Sequence, residues 1–343
     1  MLPTLIRNVK VIIPLAGKGT RMRPHTHTRA KPLLYVAGKP VLDHILDRLA
    51  DLDVSEYLFI TGHLKEQIEE HITANYAFKA RFIEQAVQDG TAGACRLVEP
   101  YVDEPILIVF VDTIFDTDLS VIEACKSEGL IWAQEVEDYQ RFGVIVTDAD
   151  GNVKNMVEKP DTPISKLANI GLYYIKDYKA FFKGIAHVYD KGLKTKGEYF
   201  LPEVFMHMVR HGAKLQVLPV EAWYDCGKPE TTLESNARLL AKLHAVKSPT
   251  KGTKIIKPVY IEEGCLVESA EIGPNVSIAK DCIIQRAKLV DCILDEGAAV
   301  RDIALRDSIL GRETTIEGAD TAQEFSMRLG CNATTTLPKG PKK

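Results

Sequence analysis

From Val9 onward the chain alternates short, unbroken apolar runs with stretches whose apolar residues recur at helical spacing. Val9 to Leu15 reads as a buried strand, and 41–52, with Val41, Ile45, Leu46 and Leu49 on one face, as a helix. Residues 57–61, 80–84 and 106–111 continue as strands. Residues 65–72, 90–98 and 119–125 read as the helices between them. Strands apolar on both faces, alternating with helices, predict a mainly parallel sheet with helices on both faces, a Rossmann-like α/β fold. Strands then dominate over 131–135, 143–146 and 168–175, so the sheet is expected to become mixed, and helices follow at 202–211 and 230–246.

The rhythm changes after Ser248-Pro-Thr-Lys-Gly-Thr-Lys254, where Pro, Gly and polar residues break the pattern. Beyond it Ile272, Ile278, Ile284 and Val290 recur every six residues, with Val267, Leu294 and Val300 keeping the register after short slips. A period of six fits one apolar residue per flat face of a hexapeptide-repeat coil, so a short left-handed parallel β-helix is predicted at the C-terminal side. A run of antiparallel strands rich in β-branched residues is the competing reading. The resulting organisation is an α/β domain over 1–247, a β-helix over 255–320 and a flexible tail over 331–343.

Composition narrows the function classes more than it changes the fold. A net charge of −4 offers no field built for nucleic acid or an anionic membrane surface, so any phosphate binding must come from local geometry. No run of about 18 apolar residues could span a bilayer, and the first residues lack a signal-peptide layout. The seven cysteines stand singly, without a Cys-x-x-Cys pair, which argues against structural zinc and a disulfide framework. The expected setting is a reduced cytoplasm, without nucleic-acid or membrane partners.

The candidate chemistry begins where the first strand ends. Ala16-Gly17-Lys-Gly19-Thr20-Arg21-Met-Arg-Pro24 is a glycine-rich turn, in which backbone N–H groups can approach phosphate oxygens closely. A dinucleotide fingerprint needs a third glycine where Met22 stands, and the Walker pattern is absent. What remains is a triphosphate cradle carrying its own cations, Arg21 and, ten residues on, Lys31. His25 and His27 could be imagined as metal ligands, but nothing nearby completes a set.

That run, together with Thr28-Arg-Ala-Lys31-Pro-Leu, resembles the signature of the sugar-1-phosphate nucleotidyltransferases, the nucleotide-sugar pyrophosphorylases. It departs at Ala30 and Met22, neither a charged position. Four later patches are similar to the family's in the same order, so the resemblance covers about residues 9–240. Gln85-Ala-Val-Gln-Asp-Gly90-Thr91 looks like its base-reading loop, whose amide suits the imide edge of uracil or thymine. Asp112, just past an apolar strand, matches its magnesium aspartate, although Thr113 replaces the more usual asparagine. Glu158-Lys159-Pro160, with Gly143 before it and Asn169 and Gly171 after, resembles the sugar and phosphate clamp. Trp223-Tyr-Asp225-Cys-Gly227-Lys-Pro-Glu230 resembles the motif of the second magnesium carboxylate, with Lys228 in place of threonine.

The resemblance implies a Mg²⁺-dependent in-line displacement joining a sugar-1-phosphate to a nucleoside triphosphate, by an enzyme expected to be a homo-oligomer. Ala16, Gly17, Gly19, Thr20, Gln85, Gly90 and Thr91 would bind the nucleotide, and Gly143, Glu158, Asn169 and Gly171 the sugar. Asp112 and Asp225 would hold the metal. Lys159 would position the attacking phosphate, Arg21 would stabilise the departing pyrophosphate, and Lys31 would bridge phosphates of both substrates. Gln85 favours dTTP or UTP, with glucose-1-phosphate as the default sugar. The run Lys31-Pro-Leu-Leu-Tyr-Val-Ala-Gly-Lys-Pro40 also looks like the mannose-1-phosphate guanylyltransferase branch. A non-catalytic nucleotide-sugar sensor is disfavoured because every charged position the reaction demands is present. No histidine follows His244, so the β-helix offers no obvious acyltransferase base and is expected to be structural.

Overall fold

The computed structural model describes residues 8–337. They form two compact units, one made of 8–17 and 45–223, the other of 18–44 and 224–337. The break after Gly17 falls inside the glycine-rich turn, so most of that turn belongs to the second unit.

In the first unit, nine strands form one mixed sheet, ordered Val153–Glu158, Gly143–Thr147, Leu167–Ile175, Ile106–Val109, Val9–Pro14, Val54–Thr61, Ala80–Glu84. Gly129–Glu135 also pairs with Leu167–Ile175 and carries Leu215–Pro219 on its other side. The pairings among Val9–Pro14, Val54–Thr61, Ala80–Glu84 and Ile106–Val109 are parallel, while Leu167–Ile175 runs antiparallel to its neighbours. Ile106, Leu107, Ile108 and Val109 are all fully buried, which is what a strand apolar on both faces demands. Helices Lys65–Asn75, Thr91–Arg96, Tyr178–Asp190 and Leu201–Arg210 belong to the same unit. The helix expected over 119–125 is only a 3-10 turn, Leu119–Ile122, which Asp118 caps and which an i→i+3 bond from Cys125 N to Ile122 O terminates. Helix Tyr178–Asp190 is absent from the sequence reading. Gly184 in its middle weakens the helical signal, and its reason is packing: an added Cβ would lie 3.0 Å from Val204 on the neighbouring helix.

In the second unit the expected β-helix is present, with parallel strands stacked coil on coil, consistent with the left-handed form. Its period differs from a strict six. The fully buried positions run Ile261, Val267, Ile272, Ile278, Ile284, Leu289, Leu294, Val300, Leu305, Leu310, Ile316, in steps of five and six. Partners are 17 residues apart at first, Val259 with Val276 and Leu266 with Ile283, and 16 apart later, Ile284 with Val300 and Cys292 with Ser308. Val290, the fourth member of the six-step series, therefore yields its core position to Leu289. The break at 248–254 is already part of a coil: Thr250–Lys251 and Lys254–Ile255 pair with Val267–Glu268 and Glu271–Ile272. Part of the segment expected as a tail, Thr334–Thr336, is instead a strand paired with Thr315–Glu317, and 338–343 lie outside the described residues.

Candidate active site

The glycine-rich turn is tied to itself. Gly19 has φ +60°, and an added Cβ would lie 2.9 Å from Thr26 Cγ2 and 3.1 Å from Lys31 Cβ. Its carbonyl accepts the Thr26 hydroxyl at 2.8 Å and the Met22 N–H at 2.8 Å, closing the 3-10 turn Thr20–Met22. A Cβ on Gly17, by contrast, would meet nothing within 4 Å, so no packing within the chain requires glycine there. Open space beside bare backbone is what a phosphate nest needs.

Arg21 and Asp225, far apart in sequence, meet at Gly227. A Cβ there would lie 2.8 Å from Asp225 Oδ1 and 3.6 Å from an Arg21 terminal nitrogen. The Gly227 N–H donates to Asp225 Oδ1 at 2.7 Å, and Ser235 Oγ donates to the Asp225 carbonyl at 2.9 Å. The carboxylate is thus oriented by backbone, as metal-ligating carboxylates are. Lys228 opens helix Pro229–Leu243 in extended backbone, with no side-chain capping bond. Beneath the turn His25 is buried, its Nε2 has no partner among the described residues, and burial, helped by Arg328, lowers its pKa to about 4. That ring is neutral at physiological pH.

In the first unit the residues expected at the sugar converge. Asn169 Nδ2 donates to the Gly143 carbonyl at 2.7 Å, and its Oδ1 accepts the Tyr173 hydroxyl. A Cβ on Gly143 would collide with Asn169 Nδ2 and lie 3.0 Å from Glu158 Oε2. Lys159 Nζ sits 3.3 Å from Glu158 Oε1 and 4.6 Å from the centre of the Phe200 ring. Its backbone has φ +45°, a left-handed conformation rare for lysine, and its N–H is fixed on the Phe142 carbonyl at 2.9 Å. Burial pushes the Glu158 carboxyl above its ordinary range, and the Lys159 ammonium opposes that rise. Gly171, with φ +84°, breaks the register between Asn169 and Tyr173, and a Cβ on it would lie 2.6 Å from the Phe110 ring. Asp112 follows in the half-buried turn after Val109. The Thr113 hydroxyl is buried and donates to the Ile170 carbonyl, so the residue that departs from the family pattern serves the scaffold.

The 85–91 loop is also built from within. Gln85 is buried, its Nε2 reaching Asp89 Oδ1 and the Gly90 carbonyl, each at 3.3 Å. Gln88 Nε2 donates to the Ala16 carbonyl at 2.6 Å, tying this loop to the end of the first strand. Gly90 has φ +112°, and a Cβ would collide with the Tyr199 carbonyl and lie 2.7 Å from the Tyr199 nitrogen. Its glycine is therefore required by Tyr199. Thr91 Oγ1 accepts the Leu201 N–H at 3.2 Å. Tyr199 and Phe200 lie outside the matched patches, and Gln88 and Tyr173, though inside them, carry no motif signal for the bonds they make.

Among the described residues no three His, Cys, Asp or Glu side chains cluster as a metal site, and no helix is long and apolar enough to cross a membrane. The nucleotidyl transferase family model matches residues 10–242. The bifunctional protein GlmU of Methanocaldococcus jannaschii is 35% identical over 258 residues, 74% of this chain, which spans only 60% of that relative's length. UTP–glucose-1-phosphate uridylyltransferase AglF of Haloferax volcanii is 30% identical over 67% of this chain and 96% of its own. A UDP-glucose pyrophosphorylase solved with UDP-glucose shares the fold at TM-score 0.59 and 21% identity, over 68% of this chain and 99% of that one.

Proposed function

Because the chain belongs to the sugar-1-phosphate nucleotidyltransferase family, we propose that it condenses glucose-1-phosphate with UTP or dTTP, giving a nucleoside-diphosphate sugar and pyrophosphate. The observation that carries this reading is the convergence of Gly143, Glu158 and Asn169 beside the Lys159 ammonium. A carboxylate and an amide suit sugar hydroxyls, and a point charge at their edge suits the sugar's phosphate. Glucose-1-phosphate and the pyrimidine bases are supported by the name of the uridylyltransferase relative and by a glucose-1-phosphate thymidylyltransferase of Streptomyces antibioticus. The latter is 26% identical over 90% of this chain and 93% of its own.

The attacking phosphate oxygen is already an anion, so no general base is needed. The obstacle is repulsion between it and the triphosphate, and catalysis consists of alignment and charge neutralisation. Lys159 holds the sugar phosphate. Arg21 and the Gly17–Thr20 amides take the charge of the departing pyrophosphate, and Lys31 serves phosphates of both substrates. Gln85, Gly90 and Thr91 form the base loop, and Gly171 shapes the strand carrying Asn169. Asp112 and Asp225 are the proposed magnesium ligands, and their hard oxygens suit a cation that would supply further neutralisation. A homo-oligomer in the cytoplasm belongs to the same proposal.

The test is a panel of UTP, dTTP, GTP, ATP and CTP crossed with glucose-, mannose- and N-acetylglucosamine-1-phosphate, reading released pyrophosphate. Fastest release from UTP or dTTP with glucose-1-phosphate is expected. Preference for GTP with mannose-1-phosphate would overturn the substrates, and no release from any pair would overturn the reaction.

A further inference from the structure

The second unit contains most of the glycine-rich turn and the β-helix, and one buried side chain joins them. Asn236, on helix Pro229–Leu243, is fully buried. Its Oδ1 accepts the Ala37 N–H at 2.9 Å and the Ser277 hydroxyl at 2.7 Å, and its Nδ2 donates to the Asn275 carbonyl at 3.1 Å. One amide thus connects three pieces of chain: the hairpin after Lys31, the helix after Asp225, and a β-helix coil.

Ala37 is the point under load. Its φ is +43°, a conformation disfavoured for any residue with a Cβ. It lies in the hairpin joining Tyr35–Val36 to Lys39–Pro40, just beyond the 3-10 turn Lys31–Leu33. Neighbouring contacts press the same hairpin onto the coils. A Cβ on Gly38, at φ +98°, would lie 2.9 Å from the Tyr260 ring, and the Tyr35 hydroxyl faces the Ile278 carbonyl at 3.5 Å. Further back, a Cβ on Gly330 would lie 3.1 Å from the Pro24 carbonyl. A cavity of about 20 Å³, room for a single water, separates Met22, His25 and Arg29 from Ile293, Asp295 and Ile309. The floor under the phosphate turn is therefore solenoid.

We propose that Asn236 is a positioning residue for triphosphate binding: by holding Ala37 in its strained turn against the β-helix, it sets the placement of Lys31 and the loop before it. This rests on the phosphate-binding role assigned to that loop above. The β-helix then shapes the catalytic site itself, beyond packing or assembly.

Initial rates of the full chain, varying each substrate in turn, test this. Asn236→Ala is expected to raise the KM for the triphosphate about tenfold, since the Ala37 N–H loses its buried acceptor, while the KM for the sugar phosphate moves less than about twofold. Adding Ala37→Gly, which tolerates positive φ without a held turn, is expected to recover part of that loss. Equal shifts in both constants, no shift, or no recovery would overturn the proposal. If Asn236→Ala does not fold, Ser277→Ala is read in its place. A rise of about two- to threefold in the triphosphate constant alone supports the proposal, and any other pattern overturns it. The unaltered enzyme separates the two claims. If it turns over no substrate pair, the assigned reaction fails; if it is active and the variants are unshifted, the positioning role fails.

Discussion

Gly19 and Gly143 both stand where a Cβ would collide, yet with different things. At Gly19 the neighbours are hydrocarbon, Thr26 Cγ2 and Lys31 Cβ, and the backbone itself is left-handed. At Gly143 the neighbours are polar atoms of the proposed clamp, Asn169 Nδ2 and Glu158 Oε2. The proposed phosphate loop is thus a backbone device whose geometry is stored in φ and ψ. The proposed sugar clamp is a side-chain device whose geometry is stored in polar crowding. Damage to the first should be felt by the triphosphate, and damage to the second by the sugar phosphate.

The sharpest test removes charge from the clamp and from the proposed metal site beside the loop. Lys159→Ala and Asp225→Asn are each expected to lower the rate of pyrophosphate release at least about a hundredfold, roughly 3 kcal/mol of barrier. Near-normal turnover in either would sink that residue's role. Next in size is the split between the two glycines. Gly143→Ala should raise the KM for the sugar phosphate by about tenfold or more, since overpacking a tight site costs about 1–3 kcal/mol. Gly19→Ala should raise the KM for the triphosphate about tenfold, because an alanine there costs about 1–2 kcal/mol. If both variants disturb the same substrate constant, the distinction between the devices is wrong.

The smallest effect concerns Glu158. Its folded carboxyl titrates above its ordinary value because burial disfavours the charge. A raised pKa means that the folded state holds the proton more tightly, so the stability Glu158 contributes is present below about pH 4.5 and is lost as pH rises through its folded value. Glu158→Gln should therefore raise the melting temperature in neutral buffer by about 1–2 °C, while weakening the sugar site. The gain should vanish in acid. A variant that melts lower at neutral pH would show that the carboxylate is a net stabiliser.

How far the sequence could be read follows the same division. Backbone devices advertise themselves: Gly17, Gly19, Arg21 and Lys31 stand close together in one run, and the buried strand Ile106–Val109 is a plain apolar block. Where a residue's reason lies far along the chain, the reading stops. Gly90 was read for the nucleotide alone, yet its positive φ and the backbone of Tyr199, far along the chain, also demand glycine there. Thr113 looked like a lost contact, and its hydroxyl is spent on Ile170. The six-residue period was legible only between two five-residue steps, from Ile272 to Ile284, since each shortened face moves every later core position by one. Nothing local announces that Ala37 will need Asn236, 199 positions away.

The change from 17- to 16-residue coils also governs how this region can change. The strands of each coil pair with those of the coil above and below, so the solenoid is a stack of interchangeable storeys. Gaining or losing a whole storey keeps every apolar residue inward. Gaining or losing one residue within a storey turns the inward positions beyond it outward until a compensating slip occurs. Inheritance should therefore edit this part of the chain in coil-sized paragraphs and leave the storeys under Ala37 untouched, because the floor of the proposed phosphate loop is laid on them.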